Sequence, residues 1–135
     1  LVTPSPVRGY FSAKYVDPDF IGERTSARPF LIRYSDIALV FAEAAGPDEG
    51  LALVNEIRRR AGIPDLPEGM SLSEFRKAVI QERTLELAFE GNRLYDLRRT
   101  ASVTTTVPEA TKLSEEQAAF YPIPQRELDL NPNVK

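Results

Sequence analysis

Residues 31–62 carry two helical apolar periods with almost nothing between them, and that closeness constrains the fold more than any other feature. In RYSDIALVFAEAA, the side chains Tyr34, Ile37, Ala38, Phe41 and Ala45 recur at i, i+3, i+4 and i+7, the spacing of one helix face. Val40 and Ala44 widen that face. Gly46-Pro47 stops the helix, because glycine turns the chain and proline cannot continue the hydrogen-bond ladder. A second helix is predicted from about Asp48 to Ala61, with Leu51, Val54, Ile57 and Ala61 on one side. Arg58, Arg59 and Arg60 crowd its last turn, where cations complement the helix dipole. Gly62 ends it and Pro64 prevents resumption. Two helices joined by so short a link pack as an antiparallel hairpin.

Outside the hairpin, residues 1–30 read as an irregular loop segment broken by Pro4, Pro6, Gly9, Pro18, Gly22 and Pro29, with Tyr10, Phe11, Tyr15 and Phe20 as its anchors. So long a loop is unusual in a self-contained domain and implies support from elsewhere. Residues 31–135 read as a helical region. After a Pro/Gly loop, Ser71-Leu72-Ser73-Glu74 is a capping box and Met70 is placed to staple onto Phe75. That third helix is expected to run to Glu90, with Gly91 as a left-handed cap, and a fourth follows from about Arg93 to Thr100. ASVTTTVPEATK is polar and weakly patterned, Ser114–Gln117 offers a second capping box, and FYPIPQRELDLNPNVK reads as extended. The class is all-α: a tetratricopeptide-like helical hairpin plus further helices, with long irregular loops. No second copy at a period of ~34 residues is visible. The chain is read as one domain or as a fragment of a larger one; its start at LVTPSP, without Met, is expected of a processed product or a fragment.

Composition closes several routes. There is no cysteine and no histidine, which excludes disulfides, thiolate and imidazole chemistry and Cys/His zinc sites. No cofactor or metal is expected. No basic block with interleaved aromatics suggests nucleic acid, and no apolar run approaches the ~20 residues of a membrane helix.

The densest chemistry is ERTLELAFEGNRLYDLRR, residues 82–99. Its acids Glu82, Glu86, Glu90 and Asp96 balance its bases Arg83, Arg93, Arg98 and Arg99. On a wheel of ~100° per residue, Phe75, Val79, Glu82, Glu86, Phe89 and Arg93 fall within ~80° of one another, so the acids lie in the apolar stripe. Carboxylates held there are costly unless paired. Four arginines and no lysine suit bidentate pairing in partly dry surroundings. A structural ionic joint between the third and fourth helices therefore competes with a paired-carboxylate site of glycosidase type and with a solvated helix face. The joint is favoured, because each acid has a cation nearby in sequence, which lowers rather than raises its pKa. Removing Glu86 or Arg93 is accordingly expected to hurt folding more than binding.

IRYSDIALVFAEA (32–44), VNEIRRRAG (54–62), ERTLELAFEGNRLYDLRR (82–99) and FYPIPQRELDLNPN (120–133), in that order, resemble the carboxyl-terminal region of the SusD/RagB family. GYFSAKYVDPD (9–19) is similar to the loop before those helices, whereas the link AGPDEG is shorter than the family's usual linker. The resemblance implies an α-helical fold with tetratricopeptide-like hairpins on one side and a loop-rich ligand side. It implies a non-enzymatic lipoprotein on the outer-membrane surface of Bacteroidetes, anchored by a lipid outside this chain. Such proteins bind glycans or other nutrients for uptake and hand them to a SusC-like TonB-dependent transporter. Tyr10, Phe11, Tyr15 and Phe20 are the candidate ligand-binding residues, against the plainer expectation that they anchor the loop; Tyr95 is expected in the core. The alternative is a tetratricopeptide-like interaction domain without a ligand of its own.

Overall fold

The computed structural model describes residues 12–119, 123–131 and 133, so Tyr10 and Phe11 lie outside the described residues. Among the described residues the architecture is all-helical, apart from one isolated antiparallel bridge between Ile21 and Arg24. The order is α1 (Tyr34–Ala45), α2 (Pro47–Arg60), α3 (Leu72–Glu86), α4 (Arg93–Arg99), α5 (Val103–Thr106), a 3-10 turn (Pro108–Lys112), α6 (Glu115–Ala119) and α7 (Gln125–Leu130).

Helices α1 and α2 form the hairpin, and α3 packs across it. Gly46 makes the turn possible: its φ of 87° is a left-handed conformation that suits glycine, and its N–H caps Ala42 O at 2.9 Å. Pro47 then occupies the first turn of α2, where a missing N–H costs nothing. Gly50 lets the helices touch, since a Cβ there would stand 2.7 Å from Ala42 Cα. The resulting core contains Ala38, Leu39, Ala42, Val54, Ile57, Phe75 and Val79, with Leu51, Leu66 and Met70 at its edge. Buried Asn55 ties down the following loop by donating to Leu66 O at 3.3 Å and accepting from Leu66 N at 2.8 Å. The Ser71–Glu74 capping box opens α3 as its sequence requires.

Four expectations for the first four helices are corrected. Helix α1 buries Ser35, Ala38, Leu39 and Ala42, not the face of Tyr34, Ile37 and Phe41, which are exposed with Val40. It is apolar on both sides, so periodicity alone left the inward face undetermined, and the Ala42–Gly50 contact decides it. In α2, Val54 and Ile57 are buried as read, but Ala61 is exposed past the helix end. Helix α3 stops at Glu86, because its last carbonyls meet cations instead of the next turn: Arg33 Nη2 and Lys14 Nζ each reach Glu86 O at 2.7 Å, and Lys14 Nζ reaches Ala88 O at 2.9 Å. Tyr95 is 66% exposed and no core residue.

Beyond α4 a second apolar cluster joins Leu97, Val103, Ala110 and Ala118, with Val107 against it. The weakly patterned segment supplies it through α5 and the 3-10 turn. The reciprocal bonds Ser114 N to Gln117 Oε1, 3.0 Å, and Gln117 N to Ser114 Oγ, 3.2 Å, open α6. The terminal run holds short α7 rather than extended backbone; Pro124 precedes the helix instead of interrupting it, and the helix buries nothing.

Candidate functional site: an ionic joint and the aromatic groove beside it

The last turns of α3 face three other elements, and each acid there meets a cation from far along the chain. Glu82, 3% exposed, accepts from Arg58 Nη1 of α2 at 2.6 Å. Arg83 Nε donates to both oxygens of Asp96 in α4 at 3.0 and 2.9 Å, and its Nη1 reaches Asp36 Oδ1 of α1 at 2.8 Å. Arg99 extends the chain of pairs, with Nε to Asp96 Oδ1 at 2.9 Å and its terminal nitrogens to both oxygens of Glu43 at 2.6 and 2.7 Å. This fork geometry is why arginine, not lysine, populates the joint.

Arg33, just before α1, spans Glu86 Oε1 at 2.6 Å and both oxygens of Glu90 at 2.8 Å. Arg60 also pairs with Glu86, and Lys14 Nζ reaches Glu90 Oε1 at 2.5 Å. Burial alone would push the Glu86 carboxyl up, but hydrogen bonds from Arg33, Ser35 and Arg60 outweigh it and hold it below its ordinary value. Glu90 behaves alike: burial raises it, and Arg33 and Lys14 bring it below normal. The Arg33 guanidinium is pushed up, chiefly by its bond to Glu90. A general acid must hold a proton near neutral pH, and these two carboxyls are tuned the other way.

Beside the joint lies a groove of about 690 Å³ whose wall includes Tyr15, Phe20, Phe30 and Phe89. Phe30 is held at one end by a tilted contact with Tyr15, centroids 6.3 Å apart, and by the Arg33 guanidinium 5.7 Å from its ring centre. Asp17 braces the loop: both carboxylate oxygens accept bonds, from Thr25 Oγ1 at 2.8 Å, Ser26 N at 2.6 Å, Ser26 Oγ at 2.9 Å and Asp19 N at 3.0 Å. The Thr25 hydroxyl, then the Ser26 N–H, hold its carboxyl down at about 2.

Of the residues read as a joint, Arg83, Asp96 and Arg99 pair with one another, whereas Glu82 is held by Arg58, and Glu86 and Glu90 by Arg33, Arg60 and Lys14. Arg83 serves Asp36 and Asp96, not Glu86. Arg93 donates to Thr84 Oγ1 at 2.6 Å, while Glu90, three residues before it in the sequence, is held by Arg33 and Lys14. Arg98 lines a separate cavity of about 300 Å³ with Val103 and Ala118. Of the described aromatic candidates, Tyr15 and Phe20 both line the groove. Sequence reasoning missed Lys14, Arg33, Asp36, Glu43, Arg58 and Arg60 as partners. Their one sequence signal is that each acid-rich face needs a counter-charge, and the runs Arg58–Arg60 and Arg33 are the cations nearest the helix ends. It also missed Phe30 and Phe89 as groove residues.

A helical hairpin crossed by a third helix, with an arginine–carboxylate joint at the crossing and a loop folded over it, defines a helical scaffold of tetratricopeptide-like type. The model of the SusD family (SusD_RagB) matches residues 2–112, and the chain belongs to that family. It is 36% identical over 90 residues to SusD-like protein P2 of Formosa agariphila, covering 58% of this chain and 18% of that protein. It is 31% identical over 117 residues to SusD-like protein P38 of the same organism, covering 78% of this chain and 23% of that one. A crystal structure of a SusD homolog from Bacteroides thetaiotaomicron superimposes with a TM-score of 0.72 at 32% identity, over 89% of this chain and 29% of that one. The chain thus spans less than a third of the length of these relatives.

Proposed function

We propose that residues 1–135 form part of a cell-surface nutrient-binding protein of SusD type, which captures a glycan or another nutrient and passes it to a SusC-like TonB-dependent transporter. It acts by binding and not as an enzyme. It is held at the outer membrane by a lipid anchor outside this chain. The observation that carries the reading is the family match over residues 2–112, joined by the structural likeness at a TM-score of 0.72. The joint of Glu82, Arg83, Glu86, Glu90, Asp96 and Arg99 serves as scaffold, because its acids are paired and Glu86 and Glu90 are held ionised. The groove at Tyr15 and Phe20 is the proposed ligand side.

Calorimetry of the full-length protein against a glycan panel, with affinity capture of its transporter from membranes, tests this reading. Binding of at least one glycan and recovery of a TonB-dependent transporter are expected. Failure of both would overturn it. A second reading, an interaction domain without a ligand of its own, is favoured by one feature: Ile37, Val40 and Phe41 form an exposed apolar face on α1. Capture of the transporter with no glycan bound would select it.

A further inference from the structure

We propose that Arg33 is the positioning residue of the groove, tying its Phe30 ring to the acids at the end of α3, so that the ionic joint sets the shape of the groove as well as holding the helices; this rests on the nutrient-binding reading above. Phe30 arrives from the loop before α1 and Glu90 from the turn after α3, and both line the groove. Arg33 touches both. Its Cζ lies over the Phe30 ring, 5.7 Å from the centroid, while Nε and Nη2 donate to the two Glu90 oxygens, each at 2.8 Å. Nη1 donates to Glu86 Oε1 at 2.6 Å and Nη2 to Glu86 O at 2.7 Å, which anchors the guanidinium to the last residue of α3. Every guanidinium nitrogen is engaged, so the group has one place to stand.

This combination requires arginine. A guanidinium is flat, with its donors in one plane and a delocalised face that suits an aromatic ring. It can therefore hold two carboxylates, a carbonyl and a ring at once. A lysine ammonium is a compact point charge on a flexible stem, and it fixes no such geometry. The carboxylates are sheltered, with Glu86 10% and Glu90 2% exposed, so their bonds hold position better than surface pairs do. Phe30 is held from its other side by Tyr15, with ring centroids 6.3 Å apart, and Lys14, next to Tyr15, is bound to Glu90 Oε1 and Glu86 O. The ring thus stands between two side chains whose places derive from the same two acids. Little ordering of this wall remains to be done when a ligand arrives.

The test uses isothermal calorimetry and thermal melts on the full-length protein, with the tightest-binding member of a panel of gluco-, xylo-, manno-, galacto- and galacturono-oligosaccharides. Arg33→Lys keeps a cation against Glu86 and Glu90 but loses the fork and the flat face. Its Tm should stay close to that of the wild type, while affinity falls about fivefold or more. Arg33→Met, which removes the cation, should lower both. Phe30→Leu should also weaken binding, and the double variant Arg33→Lys/Phe30→Leu should bind no more weakly than Phe30→Leu alone, because Arg33 acts through that ring. Wild-type affinity in Arg33→Lys or in Phe30→Leu overturns the proposal, as do losses that simply add in the double variant; each leaves the nutrient-binding reading intact. Wild-type protein that binds no member of the panel removes both.

Discussion

The two ends of α3 are built from opposite chemistry. The first half inserts Phe75 and Val79, both fully buried, into an apolar core with α1 and α2. The second half inserts Glu82 and Arg83, 3% and 5% exposed, into a mesh of charges. Both ends are dry and both hold neighbouring helices, yet they depend on their surroundings differently. An apolar side chain gains from any well-packed neighbour. A buried charge gains only from a correctly placed partner and is strongly penalised without one. One helix thus has an end tolerant of its partners' identity and an end that is not.

The comparison is sharpest at its largest expected effects. Phe75→Ala should cost about 3–5 kcal/mol by leaving a cavity. Arg83→Met should cost about as much, ~3–5 kcal/mol, by taking the paired cation from Asp36 and leaving buried Asp96 with Arg99 alone. Urea denaturation measures both, and a loss under about 1 kcal/mol for Arg83→Met would show that the ionic end is dispensable. The double variant Arg83→Met/Asp96→Leu should recover much of that loss, because an apolar pair replaces an ionic one; the corresponding apolar end offers no such rescue.

Acid should find only one of the two ends. Glu86 and Glu90 titrate in the folded protein below their ordinary 4.5. Their contribution is complete above that pH and disappears as pH falls through the lowered folded values. Urea midpoints should therefore stay level from about pH 7 to about pH 5 and decline below it, and the decline should shrink in Glu86→Gln. A decline of equal size in Glu86→Gln would assign acid sensitivity elsewhere.

Smaller effects mark the boundary of the joint. Arg93→Ala should cost about 1 kcal/mol, the worth of its bond to Thr84, by the same urea assay. Arg59→Ala should change stability by less than about 0.5 kcal/mol, since its pair with Asp65 is exposed. An Arg59 effect as large as that of Arg83 would erase the distinction between buried and exposed pairs.

What could be read from the residues followed the same division. The hairpin, the Ser71 capping box and the placement of Phe75, Val79 and Glu82 rest on local rules of period and punctuation, and those residues stand where the rules put them. The inward face of α1 was not readable, because a helix apolar on two sides obeys the same period either way. The end of α3 was not readable either: it is set by Lys14 and Arg33, 72 and 53 positions before Glu86. The acids announced that cations were needed, but which cations is a matter of tertiary approach. Tyr15 and Phe20 were found by their aromatic character alone, whereas Phe89 was hidden by an assumed continuation of the helix.

The reach of Lys14 has a consequence for assembly. Its acceptors on Glu86 and Glu90 lie 72 and 76 positions downstream. Closing so long a loop is entropically costly before the two ends have a surface to meet on. The groove wall made by the early residues therefore waits until the later helices have docked, so in a polypeptide arrested partway the helical framework would stand without its groove.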